Sequence, residues 1–331
     1  ATHLRFTIFD SSTANRGYDV TNIASGDIVD DVDEIKQTLS RKYNFIGSPV
    51  PYISELDTTG LSIFENLTSL YAAFDALVTA HPHWFSKEAD LGKDTSDTYY
   101  IRHYCLRYQH PTVNSSRDMT GTDYWSDTTF KPRRLIINMS VHSMEKYSTY
   151  GGYLAIKAIL ESTEPWAKFI KDNFILDIVP CLNPWGLENG SSDNLSGKNL
   201  NRTYFNDIQA ENQCMINLIQ ALKPIGLVGV IDIHNCSQSR GYLVEKRTYK
   251  LWNYYALLAQ QIAALTYEAM ASVLTQNDTY FFLWNSGDTG QLHQYADSQG
   301  LLGCTFEIST TAGLEGSLLT KTVCINLIQA F

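Results

Sequence analysis

From residue 61 to residue 331 the chain alternates between short, almost wholly apolar runs and longer segments with helical spacing. The apolar runs lie at 134–141, 174–181, 225–233 and 301–308, and a further strand is predicted at 99–106. Strands that are apolar at nearly every position are typical of a sheet that is buried on both faces, which helices must cover. The pattern predicts an α/β fold with a mixed, centrally parallel, twisted sheet and helices on both faces.

The segments between these strands carry apolar residues every three to four positions, which predicts helices. They lie at 62–80, 153–160, 207–222, 252–271 and 317–329. Residues 1–59 differ, because they combine one strand-like run with polar, turn-rich sequence and a short amphipathic segment at 33–43. We therefore expect an N-terminal appendage of unknown role at 1–59, followed by one α/β domain at 60–331.

The composition argues against two classes of partner. The chain has 35 Asp and Glu against 25 Lys and Arg, a formal net charge of −10, so we expect no nucleic-acid partner. No run of about 18 apolar residues occurs, so we expect no membrane-spanning helix.

The six cysteines form no CxxC pair, and we expect reduced thiols that are mostly buried. The compartment stays open, with an extracellular or phage-particle location slightly favoured over the cytoplasm by the aromatic content and the few basic residues.

Side chains that bind metals or transfer protons lie at the ends of three predicted core strands. His142 and Glu145 follow the run at 134–141, His234 follows the run at 225–233, and Glu307 lies near the end of 301–308. The carboxyl ends of parallel strands meet at one edge of the sheet, where ligands gather. A strand-to-helix turn places the imidazole and carboxylate of HxxE on one side. Because two His and one Glu with water in the fourth position form an open, catalytic zinc site, we predict one Zn²⁺ held by His142, Glu145 and His234.

Five short motifs stand in the order that zinc metallocarboxypeptidases show, and residues 60–331 resemble that family of carboxypeptidase A-like zinc peptidases. The motifs are HSME at 142–145, NPWG at 183–186, NLNR at 199–202, DIH at 232–234 and TFEI at 305–308. Each motif alone could occur by chance, but all five in this order and with plausible spacing are hard to obtain by accident. The resemblance implies a divergent, bacterial or phage-type member of the family, with 60–331 as its catalytic domain and a sheet of the eight-stranded type.

The resemblance also implies a role for each matching residue. His142, Glu145 and His234 match the zinc ligands. Glu307 matches the catalytic carboxylate, which takes a proton from zinc-bound water and passes it to the leaving amine. Asn201 and Arg202 match the pair that holds the terminal carboxylate of a peptide substrate, for which a guanidinium offers a bidentate fork. The implied activity is zinc-dependent hydrolysis of an amide bond next to a free carboxylate.

The chain departs from the family pattern at positions that handle substrate. The loop between NPWG and NLNR lacks the usual carbonyl-polarising arginine, and Lys198 is its only cation. Arg240 is a candidate substitute, and Tyr280 is the nearest candidate for the tyrosine expected upstream of the catalytic glutamate. Asn199 stands where many relatives carry Asp, and Met144 where digestive members carry a substrate-contacting arginine. These departures leave the zinc ligands intact but predict substrate handling unlike that of digestive carboxypeptidases.

Two alternative functions stay open. Within the hydrolases, the chain could be a peptidoglycan stem-peptide peptidase or an N-acyl amino acid amidohydrolase, which its polar composition and N-terminal appendage favour. In a different class, it could be a zinc-binding, non-catalytic module that binds ligand or supports a larger assembly. The missing loop arginine favours this second alternative, whereas Glu307 argues against it, because a domain without catalysis has no need of that carboxylate.

Overall fold

The computed structural model describes residues 57–107, 132–236, 242–245, 283–285, 289–309 and 313–331. These residues cover most of the domain predicted at 60–331. The helices predicted at 33–43 and 252–271 lie outside the described residues, as do nearly all of the appendage predicted at 1–59 and two substrate-binding candidates, Arg240 and Tyr280.

Within the described residues, strands alternate with helices along the chain. The strands are β1 (Phe85–Lys87), β2 (Gly92–Lys93), β3 (Tyr100–Ile101), β4 (Tyr104–Leu106), β5 (Arg133–Met139), β6 (Phe174–Val179), β7 (Leu227–Cys236), β8 (Tyr242–Glu245), β9 (Leu283–Asn285) and β10 (Leu302–Ser309). The helices are α1 (Leu67–Ala80), α2 (Lys146–Glu161), α3 (Pro165–Asn173), α4 (Pro184–Asn189), α5 (Ala210–Leu222), α6 (Leu292–Ser298) and α7 (Gly313–Ala330). None of the helices in this part of the chain is long and apolar enough to cross a membrane.

Eight of these strands form one mixed sheet in the order β1-β4-β6-β5-β7-β10-β8-β9. The four central strands β6, β5, β7 and β10 run parallel to one another, whereas β4 and β8 pair with them in antiparallel fashion. The predicted runs at 134–141, 174–181, 225–233 and 301–308 correspond to these central strands. The prediction of a mixed, centrally parallel sheet is therefore confirmed.

The strand predicted at 99–106 is wrong as a single element. Its first part, β3, pairs with β2 in a separate ribbon, and its second part, β4, enters the main sheet. Between them Arg102 donates to Asp75 of α1 at 2.7 Å, and His103 lies 2.9 Å from Asp177 of β6. Arg102 and His103 thus contact different elements at the point where the chain passes from the ribbon into the main sheet.

The alternation of side chains along the central strands divides the core between the two faces of the sheet. On one face Leu135, Ile137 and Ile231 pack with residues of α1, α2, α3 and α7. On the other face Ile136 and Val230 pack with residues of α5 and α6. Helices thus cover both faces, as predicted. Nearer the carboxyl ends of β5, β7 and β10, the side chains that project from this second face are polar. The candidate site therefore lies on the face covered by α5 and α6.

The cysteines confirm the expectation of buried thiols. Among the cysteines whose side chains the structure describes, five are buried and free: Cys105, Cys181, Cys214, Cys304 and Cys324. Burial raises the pKa of Cys181 and of Cys324 to about 12. These thiols are therefore protonated at neutral pH and fill the core as small apolar side chains.

Candidate metal centre and active site

His142 and Glu145 lie on the turn that joins β5 to α2. The backbone N–H of Glu145 donates to the carbonyl of His142 at 2.9 Å, and Glu145 is the residue that precedes the first turn of α2. This tight turn brings Oε1 of Glu145 to 2.9 Å from Nδ1 of His142. The geometry predicted from the HxxE spacing is therefore present.

His234 reaches the same point from the neighbouring strand β7. Its Nδ1 lies 2.9 Å from Oε2 of Glu145, and its ring centroid is 5.0 Å from that of His142. One ligand atom from each of the three residues can be chosen so that all lie within 4.8 Å of one another. Among the described residues this is the one group of three or more His, Cys, Asp or Glu side chains that could hold a metal ion.

The hydrogen bonds on the far side of each imidazole show that the group fits a divalent cation. Nε2 of His234 lies 2.9 Å from a carboxylate oxygen of Asp232, and Nε2 of His142 lies 3.0 Å from the amide oxygen of Asn199. Both partners are acceptors, so each Nε2 can donate to its partner, and Nδ1 of each ring faces the carboxylate of Glu145 as the atom that can bind a metal. Two imidazole nitrogens and one carboxylate are a donor set that Zn²⁺ prefers.

The charges around the site favour ionised carboxylates. Burial disfavours the charged form of Glu145, but the nearby His234 and His142 outweigh it and lower the pKa of Glu145 to about 2. Burial also opposes the charge of His234, but Asp232 and Glu145 outweigh it and raise the pKa of His234 well above its ordinary value. Two carboxylates thus flank one buried imidazole, and the site is strongly attractive to a cation.

Glu307 stands beside this group on the next strand of the sheet. It lies in register with His234 in the parallel pair of β10 and β7, and its side chain is half-buried. Residues in register on parallel strands project from the same face about 4.8 Å apart. The predicted catalytic carboxylate is therefore adjacent to a predicted metal ligand.

Asn201 and Arg202 lie on a short 3₁₀ turn, Leu200–Arg202, that borders the site. Asn201 is buried, and its amide oxygen accepts from the backbone N–H of Leu292 at the start of α6, at 3.4 Å. Arg202 is exposed, and its Nη1 donates to the carbonyl of Asn201 at 2.8 Å. The turn is joined to the metal centre through Asn199, whose amide oxygen accepts from Asn201 N at 2.9 Å and contacts His142.

The NPWG motif begins the short helix α4. Asn183 caps the short helix α4, because its side-chain oxygen accepts from the backbone N–H of Gly186 at 3.0 Å. The loop that follows α4 ends at Lys198, which pairs with Asp207 at 2.6 Å on the surface. Lys198 is thus directed towards a carboxylate of its own chain. Met144, next to Glu145, is 53% exposed.

Sequence reasoning assigned no role to three polar residues that contact the predicted ligands directly or support such a contact. Asp232 contacts His234, Asn138 donates to Asp232 at 2.8 Å, and the backbone N–H of Asn235 donates to Oε2 of Glu145 at 2.9 Å. The sequence offered one indication of such residues, a polar residue within an otherwise apolar strand. Asp232 also lies two positions before His234, so both side chains project from the same face of the strand. Such residues are costly to bury unless they have a partner.

This fold is that of the metallo-carboxypeptidases. Carboxypeptidase A from Helicoverpa armigera superimposes with a TM-score of 0.61 at 14% identity, covering 92% of this chain and 81% of that one. Thrombin activatable fibrinolysis inhibitor gives a TM-score of 0.62 at 13% identity, covering 91% of this chain and 84% of that one. A metallo-carboxypeptidase from Burkholderia cenocepacia gives a TM-score of 0.59 at 17% identity, covering 78% and 68%.

In sequence, the chain is similar to part of cytosolic carboxypeptidase 4. It is 32% identical to the Homo sapiens protein over 138 residues, which are 39% of this chain and 12% of that protein. The Mus musculus protein is 30% identical over 139 residues, with the same coverage. The match thus spans about an eighth of the length of these curated relatives. No family model matches the chain.

Proposed function

We propose that this chain is a zinc-dependent metallo-carboxypeptidase that hydrolyses the amide bond next to a free carboxylate of a peptide. One observation carries the proposal: His142, Glu145 and His234 converge within 4.8 Å, beside Glu307, in a metallo-carboxypeptidase fold. The three ligands come from two neighbouring strand ends, and Glu307 comes from a third. The sequence similarity to cytosolic carboxypeptidase 4 supports the same activity.

In this proposal, different residues around the centre bind the metal, transfer the proton and bind the substrate carboxylate. Zn²⁺ held by His142, Glu145 and His234 would supply a Lewis acid that acidifies water and polarises the scissile carbonyl. Glu307 accepts the proton of the attacking water and delivers it to the leaving amine. Arg202, on the exposed rim, binds the substrate carboxylate.

Asn201 is buried, and in this proposal its role is to position Arg202. Its contact with Leu292 fixes the 3₁₀ turn, Leu200–Arg202, against α6. The guanidinium of Arg202 is thereby held at the rim by a turn that is anchored to the protein core. Preorganisation of this kind lowers the entropic cost of positioning the substrate.

The residues that handle the substrate differ from those of digestive carboxypeptidases. The loop after α4 presents no arginine, and its one cation, Lys198, pairs with Asp207. Peptidoglycan stem peptides and N-acyl amino acids are therefore included with protein C-termini as candidate substrates. The same proposal includes a bacterial or phage source and an extracellular or virion location, which the composition favours.

Metal analysis combined with a substrate panel tests the proposal. The purified chain should hold close to one zinc per molecule, and His142→Ala and His234→Ala should lose it, whereas the exposed control His83→Ala should keep it. Turnover should be found with C-terminal dipeptides, muropeptides or N-acyl amino acids, and the class that reacts identifies the substrate. A wild-type chain that holds zinc but hydrolyses none of the three classes would instead be a non-catalytic binding module. A chain that binds no zinc contradicts the proposal altogether.

A further inference from the structure

The two histidines of the candidate metal centre differ in what holds them from behind. Nε2 of His234 is 2.9 Å from the carboxylate of Asp232, whereas Nε2 of His142 is 3.0 Å from the neutral amide of Asn199. A carboxylate accepts a hydrogen bond more strongly than an amide does, and it makes the imidazole a better electron donor to a metal. The two ligands are therefore supported unequally.

Asp232 is held rigidly in the centre of the sheet. It is 0% exposed, and its second carboxylate oxygen accepts from Nδ2 of Asn138 at 2.8 Å. Asn138 and Asp232 are register partners on the parallel strands β5 and β7. Asn199, by contrast, lies on a half-buried loop, and its amide oxygen also accepts from Asn201 N.

The described residues balance the negative charge of Asp232 only in part. In the described part of the chain its carboxylate forms one ion pair, with His234, which is charged only when protonated. A buried carboxylate without a fixed cation is costly. Asp232 and Glu145 lie on opposite sides of the His234 ring, each 2.9 Å from one of its nitrogens. A divalent cation bound at Nδ1 of His234 would balance both carboxylates.

We propose that Asp232 is a positioning residue that, anchored by Asn138, fixes His234 on the metal and sets the zinc affinity of the site. Asn199 orients His142 and contributes little to the affinity. This inference rests on the proposed metal centre and deepens it, because it assigns the strength of metal binding to a residue that does not touch the metal.

Zinc affinity of the full chain, measured by competition with a chromophoric chelator, tests this inference without any assay of turnover. Asp232→Asn keeps the size of the side chain and should weaken zinc binding about 10- to 100-fold. The matched control Asn199→Ala removes the contact behind the other histidine and should weaken it less than about threefold. The absorption bands of the cobalt-substituted protein should shift more in Asp232→Asn than in Asn199→Ala, because a carboxylate polarises an imidazole more strongly than an amide does.

Circular dichroism and thermal unfolding of the metal-free variants check that each one folds. If Asp232→Asn does not fold, Asn138→Ala decides, since it keeps the carboxylate but removes its anchor, and it should weaken zinc binding several-fold. Zinc affinity equal to wild type in the folded variant overturns the inference, as does an equal loss in Asn199→Ala. A wild-type chain that binds no zinc would instead contradict the proposed function, so the two failures are distinguishable.

Discussion

Glu307 on β10 is the register partner of His234 on β7 in a parallel pair of strands. The two side chains therefore leave the same face of the sheet, one strand spacing apart, at the edge where ligands bind to parallel sheets. The carboxylate of Glu307 is thus placed next to an imidazole of the candidate metal centre by paired strands, and its position does not depend on a loop.

The variant Glu307→Gln isolates the proton transfer. Glutamine has the same size and still accepts a hydrogen bond, but it cannot take up a proton at neutral pH. We expect kcat to fall about 10²- to 10⁴-fold while zinc content stays at the wild-type value. Steady-state kinetics and metal analysis measure both quantities. The exposed carboxylate Glu315 on α7 offers a control, and a kcat near wild type in Glu307→Gln would rule out the assigned role.

Zinc should stabilise the folded chain. A ligand that binds only the native state adds about 2.7 kcal/mol to the free energy of unfolding when its free concentration is 100 times Kd. Thermal unfolding of the metal-free chain should therefore shift to higher temperature as zinc is added. His234→Ala should remove most of this shift, because it deletes one ligand. An equal shift in that variant would place the stabilising metal elsewhere.

Arg202→Lys should weaken recognition of the substrate carboxylate. Lysine keeps the charge but loses the bidentate fork, so we expect kcat/KM to fall about 10- to 100-fold, the loss of roughly 1.5–3 kcal/mol of charged hydrogen bonding. Zinc content should not change. Lys198→Ala is the matched control, since Lys198 pairs with Asp207 on the surface. If a substrate with an amidated C-terminus is affected as strongly as the free acid, Arg202 does not bind the carboxylate.

The buried ion pair of Arg134 and Asp177 should dominate the electrostatic stability of the sheet. Nε of Arg134 lies 2.5 Å from Asp177, and the two side chains are 1% and 0% exposed. Asp177→Asn removes the buried carboxylate charge that Arg134 contacts and should lower the free energy of unfolding by about 3–5 kcal/mol. Lys168→Gln breaks an exposed pair with Asp172 and should change it by less than about 1 kcal/mol. Urea unfolding compares the two, and equal effects would contradict the assignment.

The same pair predicts a dependence of stability on pH. Burial opposes the charge of Asp177, but hydrogen bonds from His103 and Arg134 outweigh it and lower the pKa below its ordinary value of 3.8. A depressed carboxyl pKa adds stability above the unfolded value, and this stability is lost as the pH falls through the folded value. Wild type should therefore lose stability below about pH 3.8 by a component that Asp177→Asn lacks. Urea unfolding at a series of acidic pH values measures the difference, and parallel curves would contradict it.

The order of secondary structure and the chemistry at the strand ends were predictable because both depend on local sequence. Apolar runs identify the central strands, and the i, i+3 spacing places Glu145 beside His142 within one turn. The approximate position of Glu307 follows in the same way, from a carboxylate late in an apolar strand. The helices α3, α4 and α6 and the edge strands were missed, since they are short and carry weak periodic signals.

What only the tertiary structure decided is which distant residues become neighbours. The order of strands places β5 beside β7, so Asn138 meets Asp232, 94 positions later. It also brings Asn199 to His142, 57 positions away, although sequence identifies Asn199 only as a departure from a motif. Local preferences specify elements and the positions of ligands within them. The partners behind those ligands depend on the pairing of strands, which the burial of the whole core selects among many alternatives that are locally equivalent.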